Sequence, residues 1–325
     1  MRHAPCRPRR TTALAAAAAA VLALAGCSSD DGEPKQGSRP VGDGSSAASS
    51  GAGDATTEPG DRATSMPTTS DVEVLDSGSG DRRVLEVAVE DGHVERTTAS
   101  MRLTMDYGTG KVTLPLSMPF TTTVTGVEDD GFTADVVYGR ASVERGSLPE
   151  GTEPMVAQAM DLIEGTTAHV SYGRNGILRS SELELGADAP DLVARVLDNL
   201  ASQSFAVAVP YPDEEVGVGA RWRARTTMRV GGVEAVVTST YELTELSDDG
   251  YVVTVGAEQT ADPGPAVGGG TIVESVSSGG GTVTGRTGLI APARAVTTID
   301  GHSTVDIGGQ EVTSSYKGTM EMATR

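Results

Sequence analysis

From Arg83 onward, apolar and polar residues alternate along most of the chain. Leu85, Val87 and Val89 alternate with Glu86, Ala88 and Glu90. Met101, Leu103 and Met105 repeat the pattern, as do Leu114, Leu116, Met118 and Phe120, then Phe132, Ala134, Val136 and Tyr138. It returns at Trp222, Ala224, Thr226, Met228 and Val230, and at Tyr251, Val253 and Val255. A period of two puts one side of each segment in a core and the other in water, which predicts half-buried strands. Short Asp/Gly clusters separate them, as antiparallel hairpins require. Pro115 and Pro119 predict an edge or a broken strand, because proline donates no ladder hydrogen bond.

Two segments carry the helical period instead. Within 153–164, Met155, Val156, Ala159, Met160 and Ile163 form one apolar stripe; within 188–203, Leu192, Val193, Val196, Leu197 and Leu200 form another. Asp188 is suited to cap the second, with Pro190 in its first turn. Pro210 and Pro212 then predict an extended stretch. Two local marks recur in the same order. Val127-Glu128-Asp129-Asp130-Gly131-Phe132 resembles Leu246-Ser247-Asp248-Asp249-Gly250-Tyr251, and Gly173-Arg174-Asn175-Gly176-Ile177 resembles Gly285-Arg286-Thr287-Gly288-Leu289. Either the domain holds two related β-units, 83–212 and 213–325, or common turn chemistry has been used twice. The expected fold is mainly β (α+β). It is a curved antiparallel sheet or half-barrel built from two related β-units, with two amphipathic helices on one face.

The first 82 residues differ in kind. Arg2, Arg7, Arg9 and Arg10 precede an Ala-rich apolar run from Thr11 to Ala25. That run is shorter than the roughly 20 residues of a permanent span, and it has the layout of a secretory signal peptide. Ser28 to about Gly80 is rich in Ser, Gly, Asp, Thr and Pro. Such a stretch buries too little apolar surface to offset its ordering entropy, so it reads as a tether with a reach of about 40 Å. The expected division is a signal peptide at 1–26, a tether at 27–82 and one antiparallel β domain at 83–325.

The net charge of −20 sets the phosphate backbone of nucleic acid against this chain as a partner. Arg221, Arg223, Arg225 and Arg229 nevertheless share one face of a predicted strand. Arginine forks suit phosphate and carboxylate, so this row is a candidate anion site. The plainer alternative is cross-strand pairing with acids such as Glu234, Glu242 or Glu245.

Little else in the chain points to chemistry. His93, His169 and His302 lie far apart, with no second ligand at metal spacing. The clusters at Asp129-Asp130 and Asp248-Asp249 lack a calcium-loop pattern and read as turns. Ser314-Ser315-Tyr316-Lys317 matches Ser-x-x-Lys, but it falls in a predicted final strand where the penicillin-binding enzymes have a helix. Gly268-Gly269-Gly270 and Gly279-Gly280-Gly281 read as flexible hairpin loops, and Val216-Gly217-Val218-Gly219 as a tight turn feeding Trp222, the only tryptophan. No cofactor, metal site or catalytic set is expected.

Leu24-Ala25-Gly26-Cys27 resembles the lipobox of bacterial lipoproteins. The resemblance implies a diacylglyceryl group on Cys27, a mature chain beginning there, and a place on the outer face of the cell membrane. Cys6 would leave with the signal, so no disulfide forms. Lipobox, tether and β domain together resemble envelope lipoproteins of Gram-positive actinobacteria. The layout is similar to the LppX/LprG and LolA half-barrels, whose curved sheets enclose a lipid-holding cavity. By that likeness Met155, Met160, Ile163, Leu192, Val196, Leu200 and Trp222 would line a cavity for an apolar or amphipathic ligand. The alternative is a structural or interaction module whose sheet face binds cell-wall polymer or a protein.

Overall fold

The computed structural model describes residues 68–325 other than 109, 145–156, 159, 162, 185–208, 231–232 and 267–268. The first strands are β1 (Thr68–Asp76), β2 (Ser79–Arg83), β3 (Val94–Asp106), β4 (Lys111–Glu128), β5 (Gly131–Tyr138), β6 (Ser142–Val143), β7 (Thr167–Gly173) and β8 (Leu178–Glu184). They are followed by β9 (Val216–Val218), β10 (Arg221–Val230), β11 (Val233–Ser247), β12 (Gly250–Ala261), β13 (Gly264–Pro265), β14 (Thr271–Arg286), β15 (Arg294–Ile307) and β16 (Gln310–Thr324).

Fourteen strands form one antiparallel sheet, along the path β1-β10-β11-β12-β14-β15-β16-β3-β4-β5-β7-β8, with β6 and β13 beside it; β2 and β9 form a separate pair. The end strands β1 and β8 approach within 8 Å at Cα without pairing. The sheet therefore curls strongly but does not close into a barrel. One face of every long strand turns inward, and apolar side chains from both ends of the path meet in a single cluster that includes Trp222, Leu243, Val253, Val124, Ala134 and Val170.

The two recurring sequence marks occupy matching places. The β4–β5 and β11–β12 hairpins each turn at an Asp-Asp pair and each carry a register shift, between Val124 and Gly126 and between Leu243 and Glu245. Arg174 donates its backbone N–H to Asp130, and Thr287 donates its own to Asp249. Gly176 and Gly288 both take positive φ, 73° and 81°.

Several expectations need correction. No helix is an element of the fold among the described residues, so the two amphipathic helices are not supported. Within 153–164 the described positions 157, 158, 160, 161 and 163 have helical backbone; 153–156, 159, 162 and all of 188–203 lie outside the described residues. The alternation at Leu85–Val89 is not a ladder strand. It is extended chain whose Leu85 and Val87 plug the core and whose Val87 N–H bonds Arg174 O. Gly279-Gly280-Gly281 is not a loop but the middle of β14. The last part of the expected tether, 68–82, contains β1 and all of β2 but its final residue, Arg83.

β4 lies inside the sheet despite its prolines. Pairing with β5 starts only at Phe120, so Pro115 and Pro119 occupy a stretch partnered on that side by the short β6 alone. Their carbonyls accept from Glu144 N and Gly139 N in place of a full ladder.

Candidate functional site

The inner face has an aromatic end and an aliphatic end. Trp222 stacks on Tyr241 with ring centroids 5.5 Å apart, Phe132 stacks on Tyr172 at 5.4 Å, and Tyr211 meets Tyr251 edge-on at 5.6 Å. The indole N–H of Trp222 donates to the Pro210 carbonyl at 2.8 Å, which fixes the buried extended stretch Val209–Pro212 under the sheet. The Tyr211 and Tyr251 hydroxyls share a hydrogen bond. Burial pushes the phenols of Tyr241 and Tyr251 up to about 12 and raises Tyr172 and Tyr211 as well. A neutral phenol is preferred because a phenolate would lose its water there.

Glu95 is the one fully buried acid among the described residues. Its carboxylate accepts N–H bonds from Ile290 at 2.6 Å and Ala291 at 3.1 Å, and His93 Nε2 lies 3.0 Å away. The arrangement satisfies the charge and ties the β14–β15 connection to β3.

Further along β3 the inner face changes. Met101, Leu103 and Met105 share it with Leu116 and Leu114 of β4 and with Met320 and Tyr316 of β16, as the register requires. All seven are only half-buried. On the adjoining wall, Gly279 and Gly281 of β14 and Gly301 of β15 bring no side chain to the interior. A band of apolar surface thus lines the curled sheet beyond its packed end.

The outer face carries charge. Arg221, Arg223 and Arg225 of β10 point away from Trp222 and Ala224 and are exposed. β1 brings an acid opposite each: Asp76 to Arg221, Glu73 to Arg223 and Asp71 to Arg225. Glu242 faces Arg221 from β11, and Arg229 lies in register with Glu234. Arg223 Nη1 reaches Glu73 Oε2 at 3.6 Å. This is a ladder of alternating charge rather than a row of open guanidiniums.

Beside it lies a depression of about 660 Å³, lined by Asp71, Glu73, Arg223, Arg225, Thr238, Thr240 and Glu258, with Ser278 across the floor. Gly256 of β12 and Gly280 of β14 are register partners on this face. The missing side chain at Gly256 leaves the notch, since a Cβ there would meet nothing within 4 Å, whereas one on Gly280 would lie 2.6 Å from the Val255 carbonyl oxygen.

The sequence-derived candidates fall differently. Cys27, Met155, Leu192, Val196 and Leu200 lie outside the described residues. Ile163 and Trp222 are 1% and 0% exposed, and Met160 packs against the same cluster, so these three are core residues and not an open lining. Sequence reasoning missed Glu95 and the notch at Gly256. Among the described residues no group of His, Cys, Asp and Glu side chains is arranged to hold a metal ion, and no helix is long and apolar enough to cross a membrane.

No family model and no curated protein matches the chain. Among solved structures, one of lipovitellin, whose subject is lipid–protein interactions, aligns with a TM-score of 0.37 and 12% identity over 73% of this chain. The chain spans a quarter of that protein's length. An outer membrane channel from Pseudomonas putida F1 aligns with a TM-score of 0.21 and 10% identity, over 75% of this chain and all of the other. Neither likeness reaches the level at which a shared fold follows.

Proposed function

We propose that this chain is a lipid-anchored protein of the cell envelope that binds, without turnover, the apolar part of an amphipathic molecule against the inner face of its curled sheet. The observation that carries the reading is the half-buried band of Met101, Leu103, Met105, Leu114, Leu116, Tyr316 and Met320. Apolar surface of this extent is normally buried in a core or covered by a partner. Here it faces the sheet's own interior, since the sheet curls until β1 and β8 approach. An acyl chain laid along this band would cover its apolar surface. Three methionines suit it to chains of varied shape, because the unbranched thioether repacks readily.

The anchor rests on the Arg-rich start, the Ala-rich run and Leu24-Ala25-Gly26-Cys27. Growth with labelled palmitate tests it directly: the label enters the wild-type chain and not the Cys27→Ser variant. For the binding reading, the full chain is purified from an envelope-exporting host and extracted for mass spectrometry. Acylated lipid at near-stoichiometric ratio is expected, with most of it lost from Leu103→Glu. A protein that releases no lipid, and that takes up no fluorescent fatty acid, ends this reading.

A further inference from the structure

We infer that the notch on the outer face, at Gly256 of β12, is a second binding site, for a neutral hydroxyl-rich chain such as a short stretch of polysaccharide. It lies on the opposite side of the sheet from the apolar band and is independent of that reading. Its size of about 660 Å³ is within the range of small-ligand sites, roughly 300–1,000 Å³. Most such sites are apolar, whereas the side chains of this lining, Ala257 apart, are carboxylates, guanidiniums and hydroxyls. A hydrocarbon would therefore strand polar groups without partners.

Charge narrows the ligand further. Asp71, Glu73 and Glu258 stand against Arg223 and Arg225, so carboxylates outnumber guanidiniums. Arg223 is already engaged by Glu73 at 3.6 Å, and the whole chain carries −20. A polyanion is repelled overall and meets no vacant fork at Arg223. Sugar hydroxyls both donate and accept. They can give to Glu258 and take from Thr240 or Ser278 without breaking the Glu73–Arg223 pair. The floor supports the same conclusion. A Cβ on Gly256 would meet nothing within 4 Å, so the space above it is open. The ladder on either side, from Thr240 through Gly256 and Gly280 to Thr298, fixes that floor on four adjacent strands. A site on paired strands is held more rigidly than one on loops.

The test uses the full chain and a panel of neutral hexasaccharides built from arabinose, galactose, glucose or N-acetylglucosamine, with polyphosphate as the anionic comparison. Binding is followed by titration calorimetry. At least one neutral oligosaccharide binds saturably, and polyphosphate does not. Gly256→Leu, which fills the open floor, weakens binding at least about tenfold. Thr240→Val, which keeps side-chain shape and removes one hydroxyl, weakens it by a smaller factor and guards against a folding defect in the first variant. Ser315→Leu, on the exposed outer side of β16, leaves it unchanged. Uptake of fatty acid by the inner face is the same in all three variants. Preference for polyphosphate, absence of any oligosaccharide binding, or full binding by both Gly256→Leu and Thr240→Val overturns the inference.

Discussion

The buried carboxylate of Glu95 accepts the backbone N–H of Ile290 at 2.6 Å, joining positions 195 residues apart in the chain. β3 and the β14–β15 connection belong to the two halves of the sheet path, and this contact spans them beneath the packed end. The Ala291 N–H reaches the other carboxylate oxygen, so both oxygens are used. Truncation would leave two donors without a partner, in a place closed to water.

Glu95→Ala is therefore expected to destabilise the fold by about 2–4 kcal/mol, the range for orphaning buried donors that served a charged acceptor. Glu95→Gln retains one acceptor oxygen and should lose about half as much. Urea unfolding followed by Trp222 fluorescence reads both, since that residue is the sole tryptophan and is buried. A loss under about 0.5 kcal/mol for the alanine variant would show that the contact does not hold the halves together.

The strands of the long sheet were legible because each buries one face, and a period of two reports that directly. The same signal misled at Leu85–Val89. Alternating burial needs only one covered side, and there the covering is a core plug with no ladder beside it. Gly279-Gly280-Gly281 was misread for the opposite reason. Glycine runs suggest flexibility, but here neighbouring backbones approach so closely that side chains are excluded from a strand. Glu95 gave no local sign, since its partners at 290 and 291 come from the far half of the chain. The outer notch depends on Gly256 falling in one cross-strand row with Thr240, Arg223 and Glu73, and register between distant strands is not written in any of these segments.

Tyr138 gives a prediction of the opposite sign. Its hydroxyl is buried and has no hydrogen-bond partner among the described residues. Burial pushes the phenol up to about 12. Tyr138→Phe removes a desolvated polar atom and leaves the ring, so stability should hold or rise by about 0.5–1 kcal/mol. Tyr211→Phe breaks the hydrogen bond to Tyr251 and should cost about 1 kcal/mol. Tyr138, Tyr241 and Tyr251 are all raised, so the unfolded chain releases these protons first. The contribution of these phenols to stability is then level below about pH 10 and falls above it. Tyrosine absorbance and Trp222 fluorescence should change together in that alkaline transition; independent titration of the phenols in a folded protein would contradict their burial.

His169 sets a second pH dependence, on the surface. Its Nδ1 lies 2.7 Å from Asp135 Oδ1, and Glu184 approaches the other ring nitrogen at 3.7 Å. The hydrogen bond to Asp135, with the charges of Asp135, Glu184 and Glu182, raises the imidazole above its ordinary value of 6.5. A raised folded value means the native state holds the proton more tightly than the unfolded chain. The contribution is fully present below pH 6.5 and is lost as pH rises through the folded value. The ring-proton resonances of His169 should titrate above 6.5 in the wild type and shift downward in Asp135→Asn. No movement of the midpoint in that variant would show that Asp135 does not hold the proton.

Two glycines on neighbouring strands should respond oppositely to one added methyl group. A Cβ on Gly281 would sit 2.0 Å from the Val296 carbonyl oxygen and 2.7 Å from Thr297 Cα. Both obstacles are backbone of β15, so relief requires moving a strand that is itself paired with β16. Overpacking against a side chain costs about 1–3 kcal/mol, and a clash with ladder backbone belongs at or above the top of that range. On β12, Gly256 has open space above its Cα and an ordinary strand conformation. Gly256→Ala reduces the freedom of the unfolded chain without strain and should raise stability by about 0.4–1 kcal/mol. The two variants, compared by urea midpoint at equal slope, separate glycine required by close approach from glycine that leaves a site open. Equal destabilisation of both would mean that the floor of the notch is as tightly packed as the β14–β15 seam, and the open space above Gly256 would have to be abandoned.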